Sequence, residues 1–237
     1  MNFPIRFLSL IVFFIFSAGT LFGALIDANI HFVWMRPEDA RSDFFIKNSN
    51  YCKIEGILKS LSPAPQKYRG ENPIKIYRKS SAGNYGVCGE VEIPAGVRDC
   101  AVILVPNWEV ANPETLFLPK VLDLKAPAVK GGELIFSNLS PLTLRVKIRG
   151  KAAEKYLPDE ARKLHALVAQ EESASFSFKI LASAASAESA KRSWRYANSM
   201  RIVKSQCYYL VALPGEPKDD PEKPPRCELI TLRKDEK

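Results

Sequence analysis

Residues that carry most enzymatic chemistry are scarce in this sequence. Histidine occurs only at His31 and His165 in 237 residues. Neither lies in a recognised catalytic motif, and no Gly-x-Ser-x-Gly is present. A serine or cysteine nucleophile served by a histidine base and an orienting acid is therefore not legible. No Cys-x-x-Cys occurs, and no glycine-rich loop follows a strand and opens a helix, which leaves no phosphate cradle. Glu90 and Glu92 share one face of a strand, whereas glycoside hydrolysis needs two carboxylates facing each other across a cleft. Long helices able to cross over between parallel strands are missing, and no internal repeat is visible. These gaps remove the common enzyme classes and call for no cofactor and no metal.

What the chain has instead is apolar residues and turn signals. Hydrophobic residues make up 46%, with 17 prolines and 13 phenylalanines, which suits many short strands separated by turns. The net charge of +8 favours association with anionic material. Residues 1–28 read as a secretory signal peptide: Arg6, then the apolar run from Phe7 to Phe16, then small residues, with cleavage expected between 19 and 28. The rival reading is an uncleaved anchor, because Phe7 to Ile26 is an uncharged run near bilayer-spanning length. Either way a periplasmic or secreted protein of the cell envelope is expected, touching a membrane only through that segment. Five cysteines (Cys52, Cys88, Cys100, Cys207, Cys227) would then sit where disulfides persist. Their odd number leaves at least one unpaired, and burial as small hydrophobic side chains explains them as well as a disulfide framework does.

Period-two alternation recurs along the chain. It marks strands at 29–36, 44–46, 51–58, 74–78, 87–93, 174–181 and 201–213, with weaker ones at 120–124 and 227–232, and the continuous apolar run 100–105 adds the most deeply buried strand. Residues 60–73 read as a loop, and 157–168 as a short helix or loop, with proline and acids placed as at a helix start. The expected fold is all-β: a sandwich or partly closed barrel of about ten short strands, with at most short helices. It runs as one β-rich unit over 29–213 with an internal boundary near 125–131. A proline- and charge-rich loop and tail occupy 214–237. If Val87 to Ile93 and Cys100 to Val105 pair around the turn between them, Cys88 and Cys100 stand too far apart to bridge.

The stretch Gly132–Gly150 carries the main surface feature. It reads as a hairpin turning at Asn138, Ser140 and Pro141. In its second arm Leu144, Val146 and Ile148 take one face, while Arg145, Lys147 and Arg149 take the other, continued by Lys151. Side chains on one face of a strand stand about 6.6 Å apart, from two strand rises. Such a row can track a linear anionic polymer, with arginine giving bidentate contacts to carboxylate, sulfate or phosphate. The same charges also suit an edge strand protected from sheet-to-sheet aggregation. Trp194 and Tyr196 would provide an aromatic platform if folding brings them near. Asn138-Leu139-Ser140 fits a glycosylation sequon, with Pro141 against its use.

The order of these motifs resembles a family of exported, uncharacterised β-rich proteins of planctomycete and verrucomicrobial bacteria. The resemblance rests on Ile74 to Arg78, Val91 to Pro94, Ala101 to Pro106, the set Gly132, Phe136, Asn138 and Ser140, and then Trp194, Arg201 and Tyr208. It covers roughly residues 50–212 and departs at Leu157-Pro158-Asp159, where the family usually follows proline with glycine. It implies export and a β fold, and no activity. The Phe-x-Asn element is also similar to cupredoxin-like sandwiches, but their copper needs two histidines and a cysteine, and neither histidine sits with ligand spacing beside a cysteine-bearing strand.

Two function classes follow. The first is an envelope binding or scaffold module that engages an anionic polymer or a partner protein, without specific nucleic-acid binding. The second is a hydrolase or thiol-redox protein whose site is scattered along the chain.

Overall fold

The computed structural model describes residues 24–108, 115–125, 129–148, 150–167, 170–182, 194–216 and 227–235. Among these it is almost entirely strand. The first half contributes β1 (Ala24–Trp34), β2 (Phe44–Lys47), β3 (Tyr51–Lys53), β4 (Gly56–Leu58), β5 (Gln66–Asn72), β6 (Ile74–Lys79), β7 (Tyr85–Val91), β8 (Asp99–Leu104) and β9 (Lys120–Asp123). The second half contributes β10 (Glu133–Asn138), β11 (Leu144–Ile148), β12 (Glu154–Tyr156), β13 (Glu160–Ala166), β14 (Ser173–Ala182), β15 (Trp194–Val203), β16 (Gln206–Pro214) and β17 (Cys227–Asp235). The one described helix is a single turn, α1 (Pro37–Ala40), opened by proline. It is not long and apolar enough to cross a membrane.

The strands make four sheets, none of them closed into a barrel. In each half one inner sheet packs on one outer sheet. The first inner sheet runs β4–β1–β8–β9, with β5 also on β1; the first outer sheet runs β3–β2–β6–β7. The second inner sheet is β13–β10–β16–β17, and the second outer sheet is β12–β11–β14–β15. Three apolar clusters separate the layers. One holds Ile30, Phe32 and Trp34 against Phe44, Ile46 and Ile76. Another holds Leu134, Phe136 and Leu210 against Val146, Phe178 and Ile180. Between them Val33, Ala101 and Ile103 meet Ile135, Tyr209 and Val211, so the two inner sheets pack on each other.

This order explains the two patterns in the sequence. The inner strands β8, β10 and β16 are covered on both faces; β8 and β16 read as near-continuous apolar runs, and β10 buries all six of its residues, polar ones included. The outer strand β11 alternates buried and exposed residues.

The two halves share one topology. In each, the first strand (β1 or β10) lies parallel to β8 or β16 and antiparallel to β5 or β13. The outer sheets correspond strand for strand as β2, β3, β6, β7 and β11, β12, β14, β15. One alignment consistent with the registers superposes Phe32 and Val102 on Phe136 and Leu210, and Ile46 and Ile76 on Val146 and Ile180. Phe32 then matches Phe136, Pro37 matches Pro141, Lys47 matches Lys147, Lys75 matches Lys179, and Pro106 matches Pro214. The chain is therefore a structural repeat that the sequence conceals. The offset between partners drifts from 100 residues (Lys47 to Lys147) to 108 (Pro106 to Pro214), so no fixed period survives.

Several expectations are corrected. The 132–150 stretch is not a hairpin: β10 belongs to the inner sheet and β11 to the outer sheet, and the chain crosses the sandwich between them. The same holds for β7 and β8, which lie in different sheets. The expected strand 201–213 is broken by a turn at Lys204-Ser205, where the chain again changes sheet. Residues 66–72, expected as loop, form β5, whose single buried side chain is Tyr68. The segment from 160 to 166 is strand β13, because Asp159 takes a positive φ of 60° and turns the chain, and Glu160 Oε2 accepts the Leu157 amide at 2.8 Å. Among the described residues no disulfide joins any two of the five cysteines.

The crossing at β10–β11 is held by Asn138, which is fully buried. Its Nδ2 donates to Leu142 O at 2.7 Å and to Leu157 O at 3.0 Å, and its Oδ1 accepts the Ser140 hydroxyl at 2.7 Å. A buried asparagine so engaged is no glycan acceptor. Asn138→Ala would orphan two carbonyls and a hydroxyl in a dry corner. The expected loss is about 3 kcal/mol, read from urea unfolding; a loss under about 1 kcal/mol would show that the corner holds without it.

Candidate ligand-binding face

The outward face of the second outer sheet is built by alternation. Leu144, Val146 and Ile148 go into the core, which turns Arg145 and Lys147 to solvent. Pairing then adds cations that no local pattern shows. Lys155 stands opposite Arg145 on one side of β11, and Lys179 stands opposite Lys147 on the other. Arg201 of β15 stands opposite Ser175. Strands β11, β14 and β15 contain no acidic residue. Glu154 of β12 pairs with inward-facing Val146. The nearby acids are engaged elsewhere: Glu160 with Arg162 at 3.0 Å, and Glu133 with Lys163 at 2.5 Å.

Two like-charge pairs thus face each other directly across β11. Opposed like charges on a sheet cost stability, and the fold carries two of them side by side. Beside them lies a shallow groove of about 730 Å³, lined by Lys147, Lys179, Gly150, Ser177, Asn198 and Ser199. Its small and hydroxylated floor leaves room between the ammonium groups for an anionic group with hydrogen-bonding neighbours.

The expected residues divide as follows. Arg145 and Lys147 lie on this face. β11 is an interior strand between β12 and β14, so edge protection does not account for its charges. Arg149 lies outside the described residues. Lys151 is exposed but does not extend the row: β11 ends at Ile148, and Gly150 turns the chain at φ 80°. Lys151 instead acts on His165 of the inner sheet, whose pKa it helps to lower. Tyr196 does not join the row. It pairs with Ile180 on the inward side and packs on Phe178 at 6.1 Å. Trp194 opens β15, and its side chain lies outside the described residues. Lys155 and Lys179 were missed because only strand register brings them to β11.

The other reactive groups have structural partners. His31 is 6% exposed. Its Nδ1 lies 3.0 Å from Ser62 O and 3.1 Å from Ser62 Oγ, and its Nε2 lies 3.9 Å from Asp99. Ser62 Oγ donates its proton to Ala64 O at 2.7 Å, and Lys234 holds Asp99 at 2.7 Å. The serine is therefore not set to give its proton to the imidazole. Burial pushes the Cys88 thiol up to about 11 and Cys100 to about 12, and raises Cys227 as well. These thiols stay protonated at neutral pH. Among the described residues no group of three or more metal-ligating side chains is gathered. No protein-family model matches the chain, and no curated protein matches it in sequence.

Burial lowers the pKa of His31 below its ordinary 6.5, with Lys234 adding to the effect and Ser62 and Asp99 opposing it. His165 is lowered by burial and by Lys151, with Glu171 opposing. The unfolded chain therefore takes up protons first as pH falls through 6.5, and the folded state loses stability on the acid side. Urea midpoints should fall between pH 7 and pH 5, and His31→Gln should flatten that slope. A midpoint that rises on acidification would contradict the burial of both rings.

Proposed function

We propose that this chain is an exported binding module of the cell envelope that engages an anionic polymer through the outward face of its second outer sheet. The observation that carries this reading is the pair of like-charge cross-strand oppositions, Arg145 with Lys155 and Lys147 with Lys179, with no ion pair to any of the four among the described residues, on a face whose three longer strands hold no acid. A fold keeps such contacts at a cost, and a polyanion laid along β11 removes it. The groove beside Lys147 and Lys179 takes one acidic group of the polymer, and Ser177 and Ser199 offer hydroxyls to its neighbours. Export is supported by the order of charge, apolar run and small residues in 1–28. The described residues begin with strand β1 at Ala24, so cleavage near Gly19 would leave that strand whole.

The test is retention on immobilised polygalacturonate against neutral dextran over a salt series. The parent protein should be held by the acidic polymer alone and released by salt, since exposed charges are screened within about 8 Å at physiological ionic strength. Arg145→Ser, Lys147→Ser and Lys179→Ser together should lower affinity about tenfold or more while folding persists. Equal retention of parent and variant would overturn the reading.

A further inference from the structure

We infer that the first outer sheet also carries a face for an acidic polysaccharide, so that one chain bridges two polymer strands. The inference rests on the reading of the second outer sheet as a polyanion face, and it extends that reading to a site built differently. All four strands of the first outer sheet send an aromatic side chain outward: Phe45 from β2, Tyr51 from β3, Tyr77 from β6 and Tyr85 from β7. Tyr51 and Tyr85, from the two edge strands, lean inward and stack at 3.8 Å with planes 3° apart. Tyr77 stands edge-on to Tyr51 at 5.0 Å, and Phe45 edge-on to Tyr85 at 5.1 Å. The ammonium of Lys47 lies 5.8 Å from the Tyr51 ring and that of Lys79 lies 5.8 Å from the Tyr85 ring. A lysine thus brackets the tyrosine stack on each side.

Cross-strand aromatic pairs stabilise a sheet, yet here four rings gather on one solvent-facing surface, and Tyr51 remains 37% exposed. The chemistry suits a sugar acid. Apolar C–H faces of pyranose rings rest on the aromatic cluster, phenolic hydroxyls meet sugar hydroxyls, and the flanking ammonium groups meet carboxylates. Three of the four rings end in a hydroxyl and all lean on one another, so the cluster offers little that would insert into a lipid bilayer. Of the remaining cations on this face, Lys53 pairs with Asp43 at 2.5 Å and Lys75 opposes Glu90. Lys47 and Lys79 are therefore the cations left for a ligand.

The repeat gives this face its meaning. In that alignment Lys47 matches Lys147, and the outer sheets lie at opposite ends of a stack of four layers. With about 10 Å between packed sheets, the two faces stand about 30 Å apart and look away from each other. One stiff polymer strand cannot lie along both. Two strands can, which makes the chain a cross-link.

The experiment mixes the intact mature protein with polygalacturonate, with neutral dextran and with phosphatidylglycerol vesicles, reading turbidity and the number of oligogalacturonate sites per chain. Variants are Lys47→Ser with Lys79→Ser, the same with Tyr51→Ser and Tyr85→Ser, and Arg145→Ser with Lys147→Ser and Lys179→Ser. The lysine-only variant keeps the test readable if removing the tyrosines unfolds the sheet. The parent should show two sites and turbidity with polygalacturonate alone. Either lysine variant of the first face should fall to one site and clear, and the second-face variant should do the same independently. Two sites and undiminished turbidity without Lys47 and Lys79 would overturn the inference, as would a first face that binds vesicles and no polymer. Failure of the reading of the second outer sheet would appear separately, as a second-face variant that keeps both sites.

Discussion

Val33, Ala101, Ile103 and Leu122 on one side, and Ile135, Tyr209, Val211 and Ile230 on the other, interlock in the layer between the two inner sheets. Each inner sheet is also covered on its far side by its own outer sheet. The strands at the centre must therefore be apolar on both faces, and the few polar groups among them must be satisfied internally. The Tyr209 hydroxyl donates to Leu124 O at 2.7 Å across this layer. Lys234 reaches Asp99 at its rim at 2.7 Å, and Lys59 reaches Glu228 at 2.6 Å. With the middle of the molecule dry, solvent-facing strand positions fall mainly on the outer sheets. That division places the basic row of β11 and the tyrosine cluster of the first half at opposite ends of the stack.

Much of the strand content was legible, and its pairing was not. Alternation identified β11, β6 and β14 because one face of each meets water. It could not say that β10 and β11 lie in different sheets, since Leu134 and Phe136 alternate with an Ile135 that is buried just as deeply. Asn138, Ser140 and Pro141 read as the tip of a hairpin, whereas the Asn138 side chain spans a corner between layers. Strands β5 and β13 were hidden for another reason. Each buries one main anchor, Tyr68 or Leu164, and is otherwise polar, so neither carries a period.

The candidate faces follow the same logic. Half of the basic row, Arg145 and Lys147, stood out in sequence because it is local. Lys155 and Lys179 needed two pairings to be known. Of the expected aromatic platform, Tyr196 lies one residue out of phase with the charges and so points inward. The cluster that does form, Phe45 with Tyr51, Tyr77 and Tyr85, is spread over 41 residues of chain from Phe45 to Tyr85 and assembles only through sheet order. The repeat was concealed likewise. Phe32 and Phe136, or Pro106 and Pro214, are isolated identities until registers align them.

The central claim is that the charges across β11 are held at a cost which a polyanion relieves. Thermal melting at low salt, with and without polygalacturonate, tests it directly on Lys147→Ser with Lys179→Ser. The account predicts that this variant melts above the parent when free and that the polymer stabilises it less than it stabilises the parent. A variant that melts below the parent, or one still stabilised by polymer to the parent's extent, would contradict it.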